Sequence, residues 1–307
     1  MTRAGNGRPV RFGLVGLDSP HAPAFTRLLN GDGEAPGVVP GGRVVSAWPG
    51  TASEDFPLSR DRLEGFTESV RSLEVPVEPA LDDVADRSDA LLILAVDART
   101  HPDYFLRCAR FGKPVYVDTR FALSVAEARA MLDEAQRYGA IPLAGSPKRF
   151  SDAFLHAVDG DRADGIDVSG PLPMQPTHPG LFWYGVHMVD VVVAAMGTGC
   201  AEVRTFAAGP DELYVATWAD GRTATIRGRK AWLPHTRGVV HRGTESTTFS
   251  IQANDLMFTG LLRAIIEACR SGTPTVAPEE IEHTVAVTAA ANRSRALCEP
   301  VPLDGAH

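Results

Sequence analysis

Short apolar runs alternate with longer helix-like segments along the first half of the chain. The apolar runs are bounded by turn residues and predict β-strands at residues 10–15, 43–47, 90–96, 114–117 and 141–144. Ser124 and Glu127 form a capping-box pattern that predicts a helix ending at Tyr138. Strands that alternate with helices favour a doubly wound, mostly parallel sheet, which is the α/β Rossmann arrangement.

The second half has strand patterns that follow one another without helices between them. A helix is predicted at residues 181–196, and strands at 202–207, 213–218, 223–228 and 247–251. Helices at 255–270 and from Pro278 onward end the chain. We therefore expect a Rossmann dinucleotide-binding domain over residues 1–147. An α+β domain with a large, mainly antiparallel open sheet follows over residues 148–307, and its last helix can pack back on the first domain.

Composition and charge limit the class of protein. The chain has 307 residues, 44% of them hydrophobic, and a net charge of -8, which argues against binding to nucleic acid or anionic membranes. The apolar runs are too short to span a bilayer, so a cytoplasmic protein is expected. Four scattered cysteines without a C-x-x-C pattern predict free thiols. The histidines follow no compact ligand motif, so no metal site is predicted.

The turn after the first strand is the first candidate site. A strand, a tight turn and a helix can together hold a pyrophosphate. Gly13 lies in the strand and Gly16 is the first glycine of a G-x-G-x-x-G spacing, but Asp18 and His21 occupy the next two glycine positions. Ser19 and the backbone amides can still bind phosphate, whereas Asp18 repels it unless hydrogen bonds turn its carboxylate aside.

Further cofactor candidates follow the other strands, because ligands of a doubly wound sheet bind beyond the carboxyl ends of its strands. Trp48 stands where an acid usually binds the ribose, and it can flank an adenine or belong to the core. Asp97 is a candidate ligand or the N-cap of the next helix. The remaining candidates in these loops are Arg99, His101 and Asp118.

The element order, the segment from Gly112 to Leu123 and the segment from Trp183 to Asp190 resemble the Gfo/Idh/MocA oxidoreductase family, from Arg11 to about Pro302. The resemblance implies NAD or NADP as the cofactor and a sugar, cyclitol or related polyol as the small-molecule substrate. It also implies that the antiparallel sheet lines the active site and mediates a homodimer or homotetramer.

The family usually carries Glu-Lys-Pro after the strand that ends here at Val117, with the lysine near the reacting substrate carbon. In this chain Asp118 keeps the acid, Thr119 replaces the lysine and Arg120 replaces the proline. Arg120 can supply a cation, or it can be a solvated arginine on a changed loop. Lys148 and Arg149 lie where the family has substrate-contacting basic residues. Lys148 can replace the missing lysine, or the Lys-Arg pair can be exposed and solvated.

The resemblance also implies a catalytic histidine, which matches His187, while Trp183 stands at the position of the family's aspartate. Helical spacing predicts Trp183, His187 and Asp190 on one helix face, with Asp190 orienting the imidazole. His187 is then the acid/base, or a core histidine. Trp183 and Tyr184 can form an aromatic wall for a ring-shaped ligand or pack in the core. His178 lies on a proline-rich loop that can cover the cleft.

Three functions are compatible with these residues. The first is an NAD(P)-dependent oxidoreductase with His187 as acid/base. The second is a redox-neutral lyase, hydrolase or isomerase on the same scaffold, and the third is a non-catalytic ligand-binding protein. The missing lysine at Thr119 keeps the second and third open, because fold alone does not determine function.

Overall fold

The computed structural model describes residues 7–31 and 37–303. It divides into two compact units. Unit 1 is formed by Met1–Asp118, Met131–Leu143 and Leu262–Thr275, and unit 2 by Thr119–Ala130, Ala144–Leu261 and Val276–His307. The domain boundary at residues 147 and 148 stays a prediction.

The helices and strands follow one another as the alternating pattern indicates. In chain order they are β1 (Val10–Val15), α1 (His21–Asn30), β2 (Gly42–Trp48), α2 (Pro57–Arg60), α3 (Leu63–Ser72), α4 (Leu81–Arg87), β3 (Ala90–Ile93), α5 (His101–Ala109), β4 (Pro114–Val117), α6 (Val125–Tyr138), β5 (Ile141–Leu143), α7 (Asp152–Val158), β6 (Gly165–Pro171), α8 (Val186–Met196), β7 (Cys200–Ala208), β8 (Asp211–Trp218), β9 (Thr223–Arg229), β10 (His235–Arg242), β11 (Glu245–Gln252), α9 (Phe258–Ser271), α10 (Pro278–Leu297) and β12 (Val301–Pro302).

The sheet of unit 1 is parallel, as predicted. Over the described residues it has five strands in the order β2-β1-β3-β4-β5. A parallel bridge between Ala47 and Val77 lies at the outer edge of β2, where a doubly wound fold has one more strand. The strand order reverses between β1 and β3. A ligand crevice is therefore expected beyond the carboxyl ends of these two strands.

Strand β3 is shorter than predicted and ends at Ile93, not at Val96. The Leu94 N–H still donates to Val15 O, at 2.8 Å. The Val96 N–H instead donates to a carboxylate oxygen of Asp18, at 2.8 Å. The apolar run continues past the sheet because its last residues are buried in the turn. The hydrophobic pattern alone does not distinguish a residue buried in a strand from one buried in the turn that follows.

Gly16 bends the chain after β1 and approaches the segment after β3. Its φ is 80°, and a Cβ atom there would lie 2.7 Å from the Cβ and 2.9 Å from the backbone of Ala95. A side chain at this position would be strained by the left-handed backbone and would also collide with a neighbouring chain segment.

We expect Gly16→Ala to destabilise the protein more than Gly139→Ala. Both glycines have positive φ, but a Cβ at Gly139 meets no atom within 4 Å. The left-handed conformation costs an alanine about 1–2 kcal/mol at both positions, and overpacking adds about 1–3 kcal/mol at Gly16 alone. Urea unfolding of both variants measures the difference, and equal losses would contradict the close approach of Gly16 to Ala95.

The sheet of unit 2 is mainly antiparallel, as predicted. In the described part of the chain it has seven strands in the order β11-β10-β6-β9-β8-β7-β12, of which β6 and β9 pair in parallel. Buried and half-buried residues alternate along β8, so one face is covered, by α7, α8 and α10. Strands β6, β10 and β12 were not predicted. Gly165, Gly170 and Gly238 interrupt the alternation in the first two, and β12 is only two residues long.

Helix α8 begins at Val186, not at Leu181 as predicted. A 3₁₀ turn over Gly180–Phe182 precedes it, and Gly180 has a φ of 58°. A Cβ at Gly185 would lie 2.1 Å from Leu181 Cδ2, so the chain folds tightly back before the helix. Trp183 therefore lies outside α8, and the prediction that it shares a helix face with His187 is wrong.

The described residues contain no helix long and apolar enough to cross a membrane. Within the same ranges, no group of three or more His, Cys, Asp or Glu residues could hold a metal ion. The four cysteines are free thiols, with Cys108 and Cys200 buried.

Candidate functional site

The turn after β1 in unit 1 turns the Asp18 carboxylate into the protein. One oxygen accepts the Val96 N–H, and the other accepts the Ser59 hydroxyl, at 2.5 Å. Burial raises the pKa of Asp18, and these two hydrogen bonds oppose the increase. These hydrogen bonds turn the carboxylate away from the turn. The sequence predicts that Asp18 repels a phosphate unless its carboxylate is turned aside in this way.

The first turn of α1 offers few amide donors to an anion. Pro20 and Pro23 have no N–H. The His21 N–H donates to Ser19 Oγ, and the Ala22 N–H donates to Ser19 O, both at 3.2 Å. The bend at Gly16 has the position of a dinucleotide-binding turn in such a sheet. Few amides at the N-terminus of α1 remain to hold a pyrophosphate, however, so this part of the turn fits a dinucleotide poorly.

Asp97, after β3, caps the 3₁₀ turn Ala98–Thr100 by accepting the Arg99 N–H, at 3.0 Å. The Arg99 guanidinium lies between Asp97 and Asp55, with nitrogen-to-oxygen distances of 2.7 Å to each. His101 is fully buried, and its Nε2 lies 2.8 Å from Ala95 O. Asp97 and His101 therefore stabilise the segment after β3, and their contact with a cofactor stays a prediction.

A histidine–carboxylate pair lies beyond β1 and β4. His21 Nδ1 is 2.6 Å from Asp118 Oδ2, and Tyr116 OH donates to Asp118 Oδ1 at 3.2 Å. Asp118 is buried, whereas His21 is partly exposed. The structure thus joins two predicted cofactor residues at the carboxyl edge of the sheet. This pair can accept or donate a hydrogen bond there.

Trp48, at the end of β2, is packed between two side chains of α5. Its ring meets Tyr104 edge-on with centroids 5.2 Å apart, and the Arg107 guanidinium lies 5.0 Å from its centroid. The tryptophan is half-buried. It therefore covers the end of the strand, and the adenine contact stays a prediction.

In unit 2, His187 in the first turn of α8 is bonded to Ser146. The Ser146 hydroxyl oxygen lies 2.7 Å from His187 Nδ1. Ser146 is fully buried and precedes the 3₁₀ turn Pro147–Phe150. Asp190 was expected to orient the imidazole, and the structure corrects this. Among the described residues the Asp190 carboxylate accepts from the Ser146 N–H and from Arg149, at 2.8 and 2.9 Å.

Arg149 lies between two carboxylates. Its guanidinium donates to Asp190 Oδ1 and to Glu280 Oε1 of α10. Burial alone would lower the pKa of Arg149, but the charges of Asp190 and Glu280 raise it above its ordinary value. Only 10% of the Arg149 side chain is exposed, so the interpretation of a solvated Lys-Arg pair is wrong for this residue.

Lys148 is also buried, with 5% of the residue exposed. Its Nζ donates to Thr236 Oγ1 of β10 at 2.7 Å, and the described residues provide no carboxylate partner. Desolvation lowers the pKa of Lys148 to about 8. An amine with this pKa can exchange a proton near neutral pH, which an ordinary surface lysine does poorly.

Aromatic rings in unit 2 form a continuous row that ends beside His187. The Arg120 guanidinium lies 4.7 Å from the Trp183 centroid and donates to Trp183 O at 3.1 Å. Arg120 is therefore buried, not solvated. Tyr184 contacts the rings of Trp183, His187 and the half-exposed Trp232, with centroids 5.7, 5.8 and 5.3 Å away. His178 is buried, with its ring 5.3 Å from Trp183.

Several solved structures share this fold. A probable dehydrogenase from Thermotoga maritima has a TM-score of 0.79 and 15% identity, over 97% of this chain and 100% of that chain. GenD2 from gentamicin A biosynthesis, in complex with NAD, has a TM-score of 0.78 and 15% identity, over 99% of this chain and 100% of GenD2. Myo-inositol dehydrogenase from Lactobacillus casei, in complex with NAD(H) and myo-inositol, has a TM-score of 0.75 and 13% identity, over 97% and 98%.

The chain has the Gfo/Idh/MocA fold. A scan against protein-family models and a search of curated proteins give no match. The relation to the Gfo/Idh/MocA dehydrogenases is thus one of architecture, and the departures in the sequence determine what can be proposed about chemistry.

Thr119 stands where the Gfo/Idh/MocA resemblance implies a lysine. Its φ of 50° is a left-handed value that is rare and strained for a β-branched residue. Together with Asp190 it lines a cavity of about 20 Å³, which has room for about one water molecule. Strain at a candidate site is a reason to suspect a functional role for this turn.

Several residues of these networks were not singled out from the sequence, among them Ser59, Ser146, Trp232, Thr236 and Glu280. Ser146 and Trp232 are the most informative, because Ser146 contacts His187, the histidine that the resemblance implies to be catalytic, and Trp232 extends the aromatic row at Tyr184. Ser146 follows the strand β5, and polar residues after strands of this sheet are candidates by position. Trp232 lies on the β9–β10 loop, and no motif indicated it.

Lys148 allows a prediction about pH and stability. The unfolded chain keeps this amine protonated up to about pH 10.5, whereas the folded protein releases the proton near pH 8. Between these values the unfolded state binds more protons, so wild-type stability gains with rising pH relative to Lys148→Met, by at most about 3 kcal/mol. Urea unfolding at several pH values measures the difference in the free energy of unfolding between wild type and Lys148→Met. A difference that stays constant from pH 7 to 10.5 would contradict the lowered pKa of Lys148 in the folded protein.

Proposed function

We propose that this protein is an NAD(P)-dependent oxidoreductase acting on a sugar, cyclitol or related polyol. The observation that carries the proposal is the doubly wound sheet, whose strand order reverses between β1 and β3 directly beside the Gly16 turn. This is where such sheets bind dinucleotides. Solved structures with the same architecture include GenD2 in complex with NAD and a myo-inositol dehydrogenase in complex with NAD(H).

In this proposal Gly16, Ser19 and the pair formed by His21 and Asp118 contact the cofactor. Gly13 supports the strand before this turn, because a Cβ there would lie 2.4 Å from Val84 Cγ1 and 2.5 Å from Ser88 Oγ. Asp97, Arg99, His101, Asp18 and Trp48 support the same edge of the sheet. The nicotinamide supplies the hydride acceptor or donor when it is bound. The protein's own part is to hold the polyol and to move its hydroxyl proton.

His187 is the proposed acid/base, because an imidazole exchanges protons near neutral pH. Lys148 is proposed to take over the charge of the missing lysine, since its amine is buried without a carboxylate partner in the described ranges. Thr119 and Arg120 form the turn that precedes the aromatic row. Asp190 binds the Ser146 N–H, and Arg149 binds Glu280 of α10. Trp183 and Tyr184 form the aromatic wall for a ring-shaped polyol, and Trp232 extends it. His178 is fully buried and supports this wall through its contact with Trp183.

A homodimer or homotetramer is part of the proposal. The less covered face of the unit 2 sheet carries the half-buried side chains of Leu213, Val215 and Val239 and the exposed Phe206. Apolar side chains on an open sheet face support contact with another copy. Light scattering after size-exclusion chromatography tests this, and a monomer at micromolar concentration would contradict it. A cytoplasmic location stays a prediction.

Direct binding tests the proposed cofactor. Calorimetric titration with NAD⁺, NADH, NADP⁺ and NADPH is expected to give a saturable heat with at least one of them. A panel of cyclitols and sugars, beginning with myo-inositol, then tests turnover through the absorbance of the reduced nicotinamide. Absence of binding to all four dinucleotides would overturn the proposal.

One observation favours a second candidate, a redox-neutral enzyme or a non-catalytic ligand-binding protein. Pro20 and Pro23 remove two amide donors from α1, and the amides of His21 and Ala22 donate to Ser19. A phosphate cradle with so few donors is unusual for a dinucleotide site. Binding of a dinucleotide without any oxidation or reduction in the panel would favour the redox-neutral enzyme, and no binding would favour the ligand-binding protein.

A further inference from the structure

The hydrogen bond between Ser146 and His187 determines which nitrogen of the neutral His187 imidazole carries the proton. We propose that the Ser146 hydroxyl donates to His187 Nδ1, so that neutral His187 carries its proton on Nε2. Ser146 is then a positioning residue that makes neutral His187 a proton donor. The inference rests on the proposed function only for its catalytic consequence, because the tautomer itself is a property of the protein alone.

The hydrogen bonds of Ser146 support this direction of donation. Its backbone N–H donates to Asp190, and its backbone carbonyl accepts the Arg149 N–H. Its hydroxyl oxygen already accepts the Lys148 N–H, at 3.2 Å. A serine hydroxyl has a single proton to donate. His187 Nδ1, at 2.7 Å, is the acceptor for that proton among the described residues.

The opposite arrangement would leave a buried group without a partner. If Nδ1 carried the proton, Ser146 Oγ would accept two hydrogen bonds and its own proton would have no acceptor in the described ranges. Ser146 is fully buried, so water does not reach the hydroxyl from bulk solvent. An unsatisfied buried donor costs about 1–3 kcal/mol, which favours the Nε2–H tautomer.

The tautomer changes what His187 can do. A neutral imidazole with its proton on Nε2 donates from that nitrogen and does not accept there. Neutral His187 is therefore suited to give a proton to a carbonyl oxygen as it becomes a hydroxyl, which is the direction of reduction. To accept the proton of a polyol hydroxyl at Nε2, the ring must first shift its proton to Nδ1, and Ser146 must turn from donor to acceptor.

The experiment is long-range ¹H–¹⁵N correlation spectroscopy of the protein with ¹⁵N-labelled histidine, at about pH 8.5, well above the pKa of an ordinary imidazole. His187 is assigned as the ring whose signals disappear in His187→Gln. The expected spectrum has an unprotonated Nδ1 and a protonated Nε2. Ser146→Ala is expected to give a mixture of the two tautomers, and Ser146→Thr, which keeps the hydroxyl, is expected to restore the wild-type pattern.

A wild-type spectrum with protonated Nδ1, or with both nitrogens protonated, would overturn the inference. An unchanged pattern in folded Ser146→Ala would also overturn it, because the hydroxyl would then have no influence on the ring. If Ser146→Ala does not fold, as judged by circular dichroism, the wild-type spectrum alone decides. No cofactor or substrate enters the measurement, so failure of the proposed function leaves its outcome unchanged and can be recognised separately by titration.

Discussion

His187→Gln is expected to lower the turnover number by about 10²–10⁴-fold, the usual contribution of a positioned general acid or base. Glutamine keeps a polar side chain in the first turn of α8, but it cannot exchange a proton near neutral pH. The dissociation constant for the dinucleotide is expected to stay unchanged, because the proposed cofactor residues lie in unit 1. Steady-state rates with the substrate found in the polyol panel measure the first effect, and calorimetric titration measures the second.

His156→Gln is the matched control for this prediction. His156 lies on α7 of the same unit and is exposed, so the same chemical change is expected to leave turnover within twofold. Loss of activity in both variants would indicate a general effect on folding. Full turnover in folded His187→Gln would remove His187 from the mechanism and return it to the alternative of a core histidine.

Much of the fold could be predicted because burial leaves a periodic signal. Strands β3 and β4 of unit 1 are continuous apolar runs, and β8 alternates strictly between buried and half-buried positions. The predicted ends of two elements were wrong where a specific contact, and not the hydrophobic pattern, determines where the element ends or begins. Strand β3 ends early because Val96 bonds Asp18, and α8 starts late because Gly185 lies tightly against Leu181. Neither of these two contacts leaves a periodic pattern in the sequence.

The site could be predicted in part. His187 was found through the resemblance, but its partner was assigned to Asp190 by helical spacing, which considers only neighbours on one helix. Ser146 reaches the imidazole from the segment after β5, 41 positions earlier in the chain. Sequence spacing does not reveal such a partner. The burial of Lys148, Arg149 and Arg120 was missed for a related reason, since charged residues are usually exposed and only tertiary contacts identify the exceptions.

Asp190→Ala is expected to destabilise the protein by about 3–5 kcal/mol, because it leaves the buried Arg149 charge without one of its two carboxylates. It also removes the acceptor of the buried Ser146 N–H. Glu280 keeps part of the compensation, since it remains bonded to Arg149. Urea unfolding followed by circular dichroism measures the change in the free energy of unfolding.

Glu282→Ala is the control, because Glu282 pairs with Arg129 on the exposed side of the same unit, at 2.8 Å. Surface ion pairs contribute about 0–1 kcal/mol, so this variant is expected to remain near wild type. The double change Asp190→Ala with Arg149→Met is expected to recover part of the loss, since it removes the stranded charge together with its partner. If Asp190→Ala costs no more than Glu282→Ala, Arg149 does not depend on Asp190. The network that holds Ser146 beneath His187 would then have to be assigned to other contacts.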